Sequence, residues 1–142
     1  MTRRTRGTLT TLVLLSAVLM PVRAWAQRND PQAVAKDAER QFRQHVNDYQ
    51  ARIAQLNFSV RPNAASRKGM NATIVNAYRS QLAAMARVRN ESDAKIAHMT
   101  GTPAPTRNSA IRSLGLVYTT ETRTLRRHEE DAMKRLHDAE RR

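Results

Sequence analysis

The chain has 142 residues, a net charge of +13 and no cysteine. The lack of cysteine excludes disulfides, a lipoprotein anchor and thiolate metal sites within this sequence. Four glycines are too few for a glycine-rich phosphate-binding loop, and aromatic residues, at 4% of the chain, are too scarce for a typical β-sheet core. The composition therefore favours a small, basic, all-α protein that is held together by packing alone.

The first 26 residues have the organisation of an export signal. Three arginines precede an apolar run over 8–20, and Pro21 ends that run. Small side chains at Ala24 and Ala26 satisfy the requirement of signal peptidase, so we expect cleavage after Ala26 and Gln27 as the first mature residue. The alternative is an uncleaved membrane anchor. The apolar run is shorter than the roughly 20 residues that a spanning helix needs, which favours cleavage.

Cleavage would leave residues 27–142 as a single domain in the periplasm or outside the cell. This part contains 21 Lys and Arg and 12 Asp and Glu, so it remains basic. Outside the cytoplasm, the expected anionic partners are lipid phosphates, lipopolysaccharide or an acidic protein surface. Nucleic acid is not an expected partner there.

The first predicted helix covers 31–57. Asp30 can cap its first turn, and Pro31 stands at the first helical position, where proline is tolerated. Apolar residues recur every three or four positions and so lie on one side of a helix: Val34, Ala38, Phe42, Val46, Tyr49, Ile53 and Leu56.

The second predicted helix covers 72–99 and follows a basic loop over 61–69. Asn71 is its expected cap, and Gly101 follows its end. Its predicted inner side again has spacings of three and four: Ile74, Tyr78, Leu82, Met85, Val88, Ser92, Ile96 and Met99.

The third predicted helix covers 109–140, after a connector over 100–108 that Pro103 and Pro105 should keep non-helical. Gly115 and four nearby threonines are poor helix formers, so we expect a weak middle that can bend. Its predicted inner side comprises Ile111, Leu114, Tyr118, Glu121, Leu125, His128, Ala132, Leu136 and Ala139.

Three long amphipathic helices predict an antiparallel, up-down-up bundle with coiled-coil-like packing. If the chain folds back near residues 64 and 103, then Tyr49, Tyr78 and His128 fall at one level of the core. A buried tyrosine hydroxyl needs a partner, and an imidazole can be one. The inner sides are only modestly apolar, so the bundle also has surface that a homodimer would bury.

No catalytic or cofactor-binding motif is present in the sequence. His128 and His137 are nine residues apart and so lie on opposite sides of a helix, which prevents joint metal binding. Neither a nucleophile motif nor a haem-attachment motif occurs. We therefore expect no enzyme activity, no metal and no cofactor.

The candidate functional residues are cations in the first predicted joint and along the second helix, where few acids are nearby. We interpret them as an anion-binding or partner-binding face: Arg61, Arg67, Lys68, Arg79, Arg87, Arg89 and Lys95. The ordinary alternative is a solvated surface of a basic protein.

The preferred hypothesis is an exported, non-enzymatic, chaperone-like binding or accessory protein. Its basic face would engage a protein or an anionic envelope partner. Two other functions stay open: a helical bundle that carries haem or metal, and a structural protein that coats the envelope surface.

Overall fold

The computed structural model describes residues 30–142, and these residues form three long helices. They are α1 (Pro31–Ala54), α2 (Ala64–Ala97) and α3 (Ala104–Glu140). Helices hold 84% of the described residues and strands hold none of them, so the predicted all-α class is confirmed. The predicted signal peptide, with Ala24, Ala26 and Gln27, lies outside the described residues.

Helix α1 begins as its sequence indicates. The Asp30 side chain accepts a hydrogen bond from the Gln32 backbone N–H at 2.9 Å, and Pro31 occupies the first turn. This hydrogen bond satisfies one of the first-turn backbone N–H groups that have no partner within the helix. Pro31 has no backbone N–H, so it leaves none unsatisfied. The helix ends at Ala54, three residues before the predicted end.

Helix α2 begins eight residues earlier than predicted, at Ala64. Its cap is Asn63, whose side chain accepts a hydrogen bond from the Ser66 backbone N–H at 2.8 Å. The predicted cap Asn71 lies inside the helix. The second half of the predicted basic loop is therefore helical, because an asparagine cap followed by alanines is a sufficient start signal.

Helix α3 also begins earlier than predicted, at Ala104. Pro103 precedes the helix and Pro105 lies in its first turn, where the missing N–H would have had no partner in any case. Gly101 has a φ of 80°, and Arg107 Nη1 donates to the carbonyl oxygens of Met99 and Thr102 at 2.9 and 2.6 Å. The loop between α2 and α3 is thus held by the helix that follows it.

The middle of α3 is helical through Gly115, without interruption. Thr119 donates its hydroxyl to the Gly115 carbonyl at 2.9 Å, and Thr120 donates to the Leu116 carbonyl at 3.0 Å. Gly115 leaves room for a neighbour, since a Cβ atom there would lie 3.2 Å from the Arg89 guanidinium. The residue that weakens the helix therefore allows close packing of α2 on α3.

Contacts between α1 and α3 show that the two helices run in the same direction. Arg43 pairs with Glu121, and seven residues later Gln50 contacts His128, seven residues beyond Glu121. The α2–α3 contacts below run in opposite order. This register agrees with the predicted up-down-up topology.

The core is a single apolar cluster to which all three helices contribute. Its largest fully buried side chains are Tyr49, Phe42, Ile74, Met85, Ile96, Leu114 and Leu125. Phe58, in the loop after α1, joins the core and stacks under the Arg135 guanidinium at 4.3 Å from its ring centre. None of the three helices in residues 30–142 has the length and apolar character that crossing a membrane requires.

Candidate functional site

Two of the seven predicted anion-binding residues form ion pairs with carboxylates of α2 or α3. Arg67 pairs with Glu140 of α3 at 3.6 Å, and Arg89 pairs with Asp93 at 2.6 Å. Arg89 also lies 5.4 Å from the centre of the Tyr118 ring. Both arginines therefore help to join α2 to α3, and their positive charge is partly neutralised in place.

The remaining predicted residues are exposed but point in different directions: Arg61, Lys68, Arg79, Arg87 and Lys95. Arg79, Arg87 and Lys95 are eight residues apart, and each such step turns the side chain by about 80° around the helix. Arg79 accordingly lies on the α3 side and Lys95 on the α1 side.

Two pKa shifts agree with this placement. Burial raises the pKa of Glu129 on α3, and the charge of Arg79 acts in the opposite direction. The hydrogen bond from Arg40 lowers the pKa of Asp37 on α1, and the charge of Lys95 adds to that effect. The structure thus divides the predicted cations among several sides of the molecule.

A more uniform basic surface lies on the solvent side of α3, in the part of the helix that ends at Arg127. Arg112, Arg123 and Arg127 are spaced by 11 and 4 residues, so they fall within about 60° of one another around the helix. None of the exposed residues of α3 up to Arg127 is acidic. The one acid in this part, Glu121, has a side chain only 15% exposed and faces Arg43 of α1.

The same side of α3 presents apolar groups between its arginines. Leu116 is 72% exposed. Thr119 and Thr120 are exposed, and their hydroxyls donate to carbonyls of their own helix, which leaves the methyl groups as side-chain surface. We call this region the outer α3 surface and define it by Arg112, Leu116, Thr119, Thr120, Arg123 and Arg127.

Sequence reasoning missed the outer α3 surface because it searched for a local excess of charge. The second predicted helix has four cations and two acids, whereas the third has six cations and six acids, so only the second has a net positive charge. The spacing of Arg112, Arg123 and Arg127 by whole helical turns was the signal that could have revealed it.

The predicted polar layer is only partly formed. Tyr49 is 1% exposed, whereas Tyr78 and His128 are half-buried. The Tyr49 hydroxyl has no hydrogen-bond partner among the described residues, and His128 Nε2 instead lies 2.7 Å from Gln50 Nε2. The expected hydrogen bond between tyrosine and imidazole is therefore wrong, because the histidine turns toward the edge of the α1–α3 contact.

Burial raises the pKa of Tyr49 to about 12, with smaller contributions from the charge of Glu129 and from Tyr78. The Tyr49→Phe variant is expected to increase the free energy of unfolding by about 1 kcal/mol at pH 7, because it removes a buried polar group without a partner. Urea denaturation checks this value, with Tyr78→Phe as the control that should change stability by less than about 0.5 kcal/mol.

The pH dependence gives a second readout for Tyr49. Above pH 10 the unfolded chain releases the tyrosine proton while the folded protein retains it. The wild type should therefore lose stability relative to Tyr49→Phe between pH 10 and about 12. A Tyr49→Phe variant that is less stable than the wild type at pH 7 would show that the hydroxyl has a partner.

Two open grooves flank α3. One, of about 580 Å³, lies against α1 and is lined by Tyr49, Gln50, Ile53, Ala54, His128, Asp131, Ala132, Lys134, Arg135 and Asp138. The other, of about 490 Å³, lies between the start of α2 and the end of α3. Within residues 30–142, no group of three or more His, Asp or Glu side chains is placed to hold a metal ion.

Comparisons with protein-family models, curated proteins and solved structures gave no match. Function therefore has to be inferred from the chemistry of the surface. Its dominant feature is positive charge on a helical scaffold.

Proposed function

We propose that this protein is an exported, non-enzymatic binding protein that engages an anionic partner through its basic surface. One observation supports this most directly. Residues 30–142 contain 20 Lys and Arg against 12 Asp and Glu, yet only five arginines form ion pairs with carboxylates there: Arg40, Arg43, Arg67, Arg89 and Arg126.

The unpaired cations give the protein a field that attracts anionic surfaces. Exposed charges act over a Debye length of about 8 Å at physiological ionic strength, so cations on the side that faces a partner contribute most.

Export is the second part of the proposal, and it is supported by the sequence of residues 1–26. Positive charge, a short apolar run and small residues at Ala24 and Ala26 are the elements of a cleaved signal. Export would bring the basic domain to the envelope, where phosphate-bearing lipids present a dense layer of negative charge.

The binding part is tested with two anionic partners, phosphatidylglycerol vesicles and poly-L-glutamate, and with zwitterionic phosphatidylcholine vesicles as the control. We expect binding to at least one anionic partner, weakened at least about tenfold when salt rises from 50 to 200 mM, because screening shortens the range of the attraction. Equal affinity for all three partners, or affinity that is independent of salt, would contradict the proposal.

A further inference from the structure

We propose that the outer α3 surface is a docking surface for an anionic phospholipid bilayer, with its arginines at the lipid phosphates and Leu116 in the headgroup layer. This inference rests on the proposed function and specifies both the side of the molecule and the class of partner.

The first support is the arrangement of charge. Arg112 and Arg127 are 15 residues apart, which corresponds to about 22 Å along a helix. Arg112, Arg123 and Arg127 are exposed, and none of them forms an ion pair with a carboxylate among the described residues. A rigid row of this length can place all three guanidinium groups on a flat anionic surface at once.

The second support is the apolar centre of the row. Leu116 is the most exposed of the large apolar residues in the described part of the chain. The methyl groups of Thr119 and Thr120 extend this centre, because their hydroxyls are already bonded to the helix backbone. A bilayer interface accepts apolar groups beside cationic ones, whereas a fully polar polyanion offers the leucine nothing to contact.

The third support is shape. Neither of the two grooves described above includes a residue of the outer α3 surface, and neither do two smaller grooves that α3 also lines. The surface is therefore the convex side of a helix, which matches a flat partner better than a projecting side chain of another protein. Each cation near an anionic membrane contributes about 1 kcal/mol of binding, equivalent to roughly fivefold in affinity.

The experiment uses the full chain and vesicles of phosphatidylglycerol, with two triple variants of equal charge. In the first, Arg112, Arg123 and Arg127 become glutamine. In the second, the exposed α1 cations Lys36, Arg40 and Arg52 become glutamine. All proteins retain the same residues 1–29, so the difference between the two variants reports on the substituted positions alone.

We expect the first variant to bind about a hundredfold more weakly than the wild type and the control to bind within about fivefold of it, because charges on other sides are screened. Circular dichroism checks that both variants remain helical. Equal losses in the two variants would overturn the docking surface while leaving the proposed binding function in place.

A fluorescent label gives the independent readout. The chain has no cysteine, so Leu116→Cys carries a single environment-sensitive label, and Ala51→Cys on the exposed side of α1 is the control. On anionic vesicles, the label at 116 should shift to shorter wavelength and the label at 51 should not. Binding without a shift at 116 would overturn the proposal.

Poly-L-glutamate separates a protein-like partner from a lipid. If the wild type binds poly-L-glutamate through Arg112, Arg123 and Arg127 but does not bind the vesicles, the lipid proposal is wrong and the partner is an acidic polypeptide. If it binds neither, the proposed function itself is wrong.

Discussion

Replacing Phe42 with alanine is expected to lower the free energy of unfolding by about 3–5 kcal/mol. Phe42 is fully buried in α1, and its ring meets that of Tyr118 of α3 edge to face, with 5.6 Å between the ring centres. The change removes a large apolar side chain and leaves a cavity between two helices. It also removes the aromatic pair, which contributes about 0.5–1.5 kcal/mol.

Urea denaturation monitored by circular dichroism measures this loss. Phe42→Leu is the matched control, because it keeps most of the volume and removes only the ring; we expect a loss below about 1.5 kcal/mol. Domains of this size are stable by about 5–15 kcal/mol, so the alanine variant should unfold at a clearly lower urea concentration than the wild type. A loss below about 1 kcal/mol for Phe42→Ala would mean that α1 does not pack on α3 as described.

Replacing Leu125 with alanine is expected to cost about 2–5 kcal/mol, for the same reason, in the middle of α3. Leu125 is 0% exposed. Leu116 lies in the same helix and is 72% exposed, so Leu116→Ala is a control with identical chemistry and the opposite environment. It should change stability by less than about 0.5 kcal/mol.

The ratio of these two losses tests the rotation of α3 about its axis. A helix rotated by half a turn would bury Leu116 and expose Leu125, and the two values would exchange. Thermal unfolding of the two variants under one condition is enough to distinguish the two orientations.

The inner sides of the helices could be predicted from sequence because apolar spacing reports burial directly. In α1, the residues at predicted inner positions from Val34 to Ile53 are buried. In α2 the same reasoning was weaker, since alanine is distributed around the whole helix and gives little contrast between sides. Met70 and Ala77 joined the core there without being predicted.

The helix starts were less predictable because two local signals competed. Pro62 and a run of cations suggested a loop, yet the chain uses Asn63 as a cap and enters α2 at once. Pro103 and Pro105 suggested a stop, yet proline is compatible with a first turn. In both places, the residues that end one helix are followed at once by the first turn of the next.

The candidate site was the least predictable part, because net charge along the sequence does not report direction in space. Arg67 and Arg89 contributed to a local excess of charge, but the fold turns them toward carboxylates. Arg112 and Arg123 did not stand out in the sequence, but they share one side of α3, on which no exposed residue before Glu130 is acidic. The fold fixes the rotation of each helix about its axis, and this rotation decides which cations face the same side of the molecule.

Export is the premise on which the proposed envelope partner depends, and the N terminus of the protein recovered from its host tests it most directly. We predict that the periplasmic fraction contains a chain that begins at Gln27, and that a variant with leucine at positions 24 and 26 retains Met1, because signal peptidase accepts only small residues there. Wild-type protein with an intact Met1 in the cytosolic fraction would contradict the account.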